Sequence, residues 1–169
     1  DDYSTAFFSE SERFFHNRMN GVLAQYNGKR DSYVEFVCDW EGMYSTLSRE
    51  KFRILLAGRH YLDTFYYGFN YSMFHYAGQQ GAPIENVVDL QLLTPCVGVR
   101  FNAFFDFDIK LGALLTAQRD RSFGHSWEKP CMGEFAFRIS RWGLSLDERL
   151  YVGDNIHPFF YGHELEDGV

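Results

Sequence analysis

The chain has only four prolines and three cysteines among its 169 residues. It contains no run of 18 apolar residues. That excludes a transmembrane helix and leaves open a membrane crossing made by strands. Basic side chains are outnumbered, 16 against 23 acidic ones, for a formal net charge of −7. A protein that grips phosphates needs a basic face, so nucleic acid is excluded as a partner. Cys38, Cys96 and Cys131 follow neither a CxxC nor a metal-ligand spacing. Their odd number leaves at least one thiol unpaired, a hint against an exported, oxidised protein. The N-terminal DDYSTAFFSE lacks the basic and apolar regions of a signal peptide, so the chain reads as a mature exported form, a fragment, or a protein never exported. No repeat, low-complexity tract or linker divides it. The length suits one domain over 1–169, with 1–17 and 154–169 as tails or loops.

What is abundant is aromatic: 19% of residues, with 18 Phe and 11 Tyr. Many of these fall on strands marked by strict alternation. In FDFDIKLGALLTA the odd positions Phe105, Phe107, Ile109, Leu111, Ala113, Leu115 and Ala117 are all apolar. A chain that is 46% apolar would give that run by chance in about 0.4% of tries, so period two is a strand signal here. The same pattern sets Val34, Phe36, Cys38 and Trp40 against Glu35, Asp39 and Glu41, and Phe52, Ile54 and Leu56 against Lys51, Arg53 and Arg59. It sets Phe65, Tyr67, Phe69, Tyr71 and Met73 against Gly68, Asn70 and Ser72. Phe135, Phe137 and Ile139 oppose Glu134, Arg138 and Ser140, and Leu144, Leu146, Leu150 and Val152 oppose Asp147 and Arg149. Two strands are less regular. The first, around Met19 to Tyr26, has no decisive face. The fifth carries Val88, Leu90 and Leu92 and then changes phase beyond Thr94-Pro95 to Val97, Val99 and Phe101, which predicts a bulge at the proline.

The connections alternate in length: NGKRD, GMYSTLSRE, LDTF, AGQQGAPIEN, NAFF, DRSFGHSWEKPC and RWG. In an antiparallel meander this gathers short turns at one rim and long loops at the other, as outer-membrane barrels do. Strands of about 9–11 residues, tilted, also match the thickness of a bilayer. The fold class expected is therefore all-β: an antiparallel up-and-down meander of about eight strands forming a transmembrane β-barrel or part of a larger one. A soluble lipocalin-like barrel around an apolar ligand shares the pattern turned inside out. The polar faces favour a lumen, because their charges are complementary: with the second loop centred near Thr46, Glu41 faces Lys51 and Asp39 faces Arg53. The lumen-lining candidates are Glu35, Asp39, Glu41, Lys51, Arg53, Arg59, Asp108, Lys110, Glu134 and Arg138. Trp40, Phe65, Tyr67, Phe105 and Phe107 lie near strand ends, where an aromatic girdle belongs. Glu148 and His60 sit on otherwise apolar faces and fit the pattern less well.

The segments RMNGVLAQY, FNYSMFHYAG, QRDRSFGHSW and LYVGDNIHPFFYG, in that order, resemble uncharacterised β-barrel outer-membrane proteins of Bacteroidota. The resemblance runs from about Phe14 to Gly162 and implies a location in the bacterial outer membrane; the lipocalin-like alternative would be secreted or periplasmic. Its implied partners are the lipid bilayer and small solutes passing through the lumen. Members look longer than this chain, and HELEDGV is not the terminal strand with a final aromatic that such barrels present to their assembly machinery. The departure is what a larger barrel cut between extracellular loops would show, while eight strands could also close on themselves.

Signatures for chemistry are sparse, and no cofactor is expected. A barrel hydrolase or acyltransferase would draw on His125, Ser126, Asp120, Glu128, Asp154, His157 and His163 in the long loops, although adjacency of His125 and Ser126 does not itself place a base on a nucleophile. His125, His157 and His163 lack the fixed spacing of a metal site. Asp106 and Asp108 read as part of a charged rim. AGQQGAPIEN lacks the Lys-Ser/Thr of a phosphate cradle. FFSESERFFHNR reads as a short amphipathic helix or a loop.

Overall fold

The computed structural model describes residues 19–81, 87–121, 124 and 126–154. They form one antiparallel sheet in which each strand pairs with the next: β1 (Gly21–Asn27), β2 (Tyr33–Gly42), β3 (Arg49–Leu62), β4 (Phe65–Gln79), β5 (Val88–Asn102), β6 (Asp106–Asp120), β7 (Cys131–Arg141) and β8 (Leu144–Gly153). The all-β meander follows the period-two pattern strand by strand. Short connections (28–32, 63–64, 103–105, 142–143) lie at one rim and long ones (43–48, 80–87, 121–130) at the other. Two short turns carry consecutive positive φ angles, 56° and 59° at Arg30-Asp31 and 54° and 78° at Trp142-Gly143. Such turns match the right-handed twist of the strands they join. No helix long and apolar enough to cross a membrane occurs among the described residues.

Register puts one set of side chains on each face. Asp39, Arg53, Phe74 and Leu90 share a row across β2 to β5, and Thr94, Asn70, Ala57 and Glu35 share another. This face is concave. Tyr33 of β2 and Glu134 of β7 line the same small cavity, yet in a flat sheet five strand spacings would separate them by about 24 Å. Side chains within the curl are accordingly buried: Ala57, Arg53, Thr94, Leu114, Thr116 and Glu134. Val37, Leu55, Leu92 and Leu114 form an apolar seam there, with Met132 and Tyr151 packed against it.

The sheet is open. Among the described residues β1 and β8 pair with no strand beyond their one neighbour, and both are largely exposed. Closure into a barrel is therefore not a property of these residues. Two further expectations are corrected. Strands β3 to β6 have 14 or 15 residues, longer than a bilayer crossing needs, with the extra length at the long-loop rim. The bulge expected at Pro95 is absent, because β5 keeps one register with β4 and with β6 from Val88 to beyond Pro95. Val88, Leu90 and Leu92 lie on the concave face, and Val97, Val99 and Phe101 on the convex one. The apolar side changes along a regular strand. Register breaks occur instead near the long-loop rim, between Trp40 and Gly42 of β2 and between Arg49 and Lys51 of β3.

One long-range contact locks the curl. Tyr66 of β4 reaches over β5 to donate its hydroxyl proton to Asp108 Oδ1 of β6 at 2.7 Å. Gly98 lies beneath, and a Cβ built there would overlap the Tyr66 ring. We therefore expect Gly98→Ala to displace Tyr66 and destabilise the fold by about 1–3 kcal/mol, an overpacking cost. Thermal unfolding followed by circular dichroism, beside Gly133→Ala where the nearest neighbour is 3.7 Å away, reads the difference.

Candidate functional site

The convex face carries an apolar band. On β6 it runs from Phe107 through Ile109, Leu111, Ala113 and Leu115 to Ala117, on β5 from Phe101 to Leu93, and on β4 from Phe65 to Met73. Many of these side chains are open: Leu111 and Val97 are each 57% exposed, and Phe65, Tyr67, Phe69, Leu146, Leu150 and Val152 are exposed as well. Aromatic rings border the band on both sides. Near the long-loop rim Trp40 stacks on Phe52 at 5.3 Å, and Phe52 lies 5.1 Å from the His75 ring. At the short-turn rim Phe101 stacks on Phe107 at 5.0 Å, and Phe105 lies 6.3 Å from Phe107. Phe104 meets Trp142 edge-on at 6.1 Å. Arg141 covers this second group, its guanidinium 3.4 Å from the Phe104 ring centre and 4.4 Å from that of Trp142.

All ten residues read as lumen candidates fall on the concave side. Asp39 faces Arg53 in register, as expected. Glu41 is the extra residue of the β2 irregularity, so Gly42 takes the place opposite Lys51. The Glu41 carboxylate still reaches Lys51 at 3.0 Å and Arg53 at 3.6 Å. Glu35 accepts from Gln25 Nε2 at 3.1 Å. Farther round, Glu134, with its side chain only 2% exposed, holds Lys110 at 3.1 Å and Arg149 at 3.9 Å and accepts from the Tyr151 hydroxyl at 3.3 Å. Arg138 pairs with Asp147 at 3.6 Å in a half-exposed position near the β8 edge. Toward the short-turn rim, Asp108 takes Arg100 at 3.0 Å as well as Tyr66. Arg59 donates to the Tyr61 hydroxyl at 3.1 Å and lies 4.7 Å over the Tyr66 ring, while Arg100 lies 5.4 Å over Tyr61.

The concave side is thus a lattice of cations, carboxylates and tyrosines, and a small cavity among Tyr33, Arg59, Thr94, Lys110 and Glu134 has roughly the room for one water. Tyr61, Tyr66, Arg100 and Tyr151 belong to this lattice and were not among the sequence candidates. Continuing the period-two count to the strand ends would have placed them on the polar face.

Beyond the band, the faces exchange character. On the convex side at the long-loop rim stands a polar group in which Asp89 holds His75 at 2.7 Å, Arg119 at 2.6 Å and Arg121 at 3.4 Å. Arg119 also lies 4.5 Å over the Trp127 ring. On the concave side at the same height, Phe74 and Leu90 form an apolar cluster with Tyr76, and Val88 is fully buried. Burial alone would raise the Asp89 pKa. Hydrogen bonds from Arg119 and His75 outweigh it and hold the carboxyl below its ordinary value.

The two awkward residues sit differently. His60 is exposed two positions from the end of β3, its ring 5.5 Å from Tyr67, so it stands at the short-turn border. Glu148 remains on the convex face opposite Phe137, on the exposed edge strand.

Of the residues considered for catalysis or metal binding, Asp120 is buried on the concave face, Glu128 accepts from Gln118 at 3.3 Å, and Asp154 accepts the Cys131 amide at 3.1 Å. Ser126 is exposed in the 121–130 connection. His125, His157 and His163 lie outside the described residues, as do the FFSESERFFHNR segment, HELEDGV and part of AGQQGAPIEN. Asp106 faces Ser140 across β6 and β7 beside the short turn and bonds Asn102. Cys38, Cys96 and Cys131 are all free thiols. Comparison with protein-family models, curated proteins and solved structures gave no match.

Two outcomes test the electrostatics. Glu134→Ala strands Lys110, whose side chain is largely out of water, and releases the more exposed Arg149; it should destabilise by about 3–5 kcal/mol. Arg138→Ala removes a half-exposed pair and should cost less than about 1 kcal/mol, and chemical denaturation of both variants gives the comparison. Because the Asp89 pKa is lowered in the fold, its stabilisation is complete above the ordinary aspartate range, about 3.9, and is lost as pH falls through the folded value. Asp89→Asn should therefore flatten the loss of thermal stability below about pH 4, and an unchanged slope would rule this out.

Proposed function

We propose that this chain is the wall of an outer-membrane-type β-barrel, whole or in part, with a structural role in the bacterial outer membrane. The observation that carries the reading is the height of the exposed convex band. From Phe107 to Ala117 there are ten residue steps on β6, about 33 Å along the strand at 3.3 Å per residue. With a tilt near 40°, that becomes roughly 25 Å along the membrane normal, the height of the lipid-facing band of such barrels. The aromatic rows at both borders stand where interfacial girdles stand, and the His75–Asp89–Arg119–Arg121 group begins where the band ends. The alternation of short turns and long loops fits the same class, as does the likeness of the quoted segments to Bacteroidota barrels.

A lipocalin-like binder would put its apolar side within the curl. Here the short-turn half of the concave side is ionic, which favours lipid outside over a ligand inside. The packed lattice favours a structural role over a porin-like one, since passage of small solutes past this wall would need a wider lumen with further strands.

The bilayer is the proposed partner, and one substitution separates the readings. Leu111 is open and lies near mid-band. In a lipid-embedded wall Leu111→Arg should destabilise by about 2–4 kcal/mol, the midplane cost of a lipid-facing arginine. On a water-facing surface the same change stays within about 0.5 kcal/mol. Folding into phosphatidylcholine vesicles, read as heat-modifiable migration on gels against urea, measures it. A wild-type chain that remains monodisperse without detergent and ignores vesicles would sink the proposal.

A further inference from the structure

Gly58 interrupts the convex band. It lies in the row Tyr26, Val34, Gly58, Phe69, which crosses β1 to β4 in register, and it alone in that row has no side chain. The gap opens a groove of about 470 Å³, within the range of about 300–1,000 Å³ usual for small-molecule sites. Val34 and Tyr26 wall one side, Tyr67 and Phe69 the other, and the groove runs out to the 28–32 turn at Lys29 and His60. No carboxylate lines it, although the chain as a whole is acidic. The turn that carries Lys29 is anchored: the Gly28 amide donates to the Ser32 carbonyl at 2.7 Å, and Ser32 Oγ accepts the Tyr61 amide at 3.1 Å. The neighbouring Arg30 faces Asp63 at 4.0 Å, and Arg59 is engaged by Tyr61 and Tyr66. Among the described residues Lys29 has no acidic partner within ion-pairing distance.

We propose that this groove is a lipid site, taking one acyl chain of an anionic phospholipid whose phosphate rests against Lys29. The inference depends on the membrane reading above. It goes further by naming a place and a lipid class. The groove is apolar along its length and cationic at one end, the polarity of an amphiphile. It runs from the hydrocarbon-facing band into the short-turn border, so tail and head meet their own surroundings in one orientation. An ammonium on an anchored turn attracts a phosphate, and a lysine close to an anionic head group favours it over a zwitterionic one by about fivefold.

Lipid retention by the detergent-purified full chain, read by native mass spectrometry with phosphatidylglycerol and phosphatidylcholine at equal concentration, tests this. The expected result is one phosphatidylglycerol per chain, retained about fivefold over phosphatidylcholine. Lys29→Glu, on an exposed turn, should bring the two lipids level or reverse them. Gly58→Leu, which fills the groove, should lower retention of both; should it fail to fold, Lys29→Glu decides alone. Equal retention of both lipids by the wild type overturns the proposal, as does wild-type phosphatidylglycerol retention by both variants. A wild type that self-associates, and variants that do not while retaining lipid unchanged, would make the groove a self-association surface and overturn it too. Insertion into vesicles distinguishes the failures: a chain that inserts without lipid preference loses only the groove, whereas one that never inserts loses the membrane reading as well.

Discussion

Register is the constraint on which the rest of this structure depends. Side chains alternate across a strand, so a slip of one residue anywhere in the meander would exchange a whole column between the two faces. Here the exchange would put Arg53, Lys110 or Glu134 on the convex side and Ile54, Leu111 or Phe135 within the curl. Charge pairing between neighbouring strands guards against this. Glu41 meets Lys51, Asp108 meets Arg100, and Glu134 meets Lys110, each on an adjacent strand. At Glu41 an added residue is accommodated without losing the pairing, because the carboxylate still reaches both cations of β3.

The curl follows from the same arrangement. A polar face left flat would be solvated on its own, and each ion pair on it would count for little. Bending the sheet brings side chains two strands apart into contact, as Tyr66 and Asp108 show, and removes Glu134 from water. Isolation strengthens each pairing and raises the cost of losing a partner. Gly98 makes room for the Tyr66–Asp108 bridge across β5. The apolar seam of Val37, Leu55, Leu92 and Leu114 fills the part of the interior where no charge needs a partner.

Much of this was legible in the sequence, for a physical reason: both faces of each strand are written in period two, and the lengths of the connections fix which ends share a rim. Eight strands, their polar and apolar sides and the Asp39–Arg53 and Glu41–Lys51 pairings all follow from those two rules. Pro95 misled because a change of apolar phase has two causes. A bulge shifts the register, whereas a change of surroundings along a regular strand shifts only which side is greasy; Val88 to Phe101 is the second case. The irregularity at Glu41 was hidden, since the charge partners are the same with or without it. Tyr66 over Gly98 was equally hidden, because nothing local in β4 indicates a partner on β6. The sheet stays open, for among the described residues β1 pairs only with β2 and β8 only with β7.

The exchange of faces near the long-loop rim has a mechanical consequence. With Phe74, Leu90 and Val88 inside and His75, Asp89 and Arg119 outside, the rim ends of β4, β5 and β6 are built much as a water-soluble protein is built, greasy within and charged without. On the membrane reading proposed above, these strand ends, hydrogen-bonded to one another beyond the lipid-facing band, would make a stiff collar. Loops mounted on it would be carried clear of the surface and held apart by hydrogen-bonded backbone, so their sequences could vary widely without disturbing the wall below.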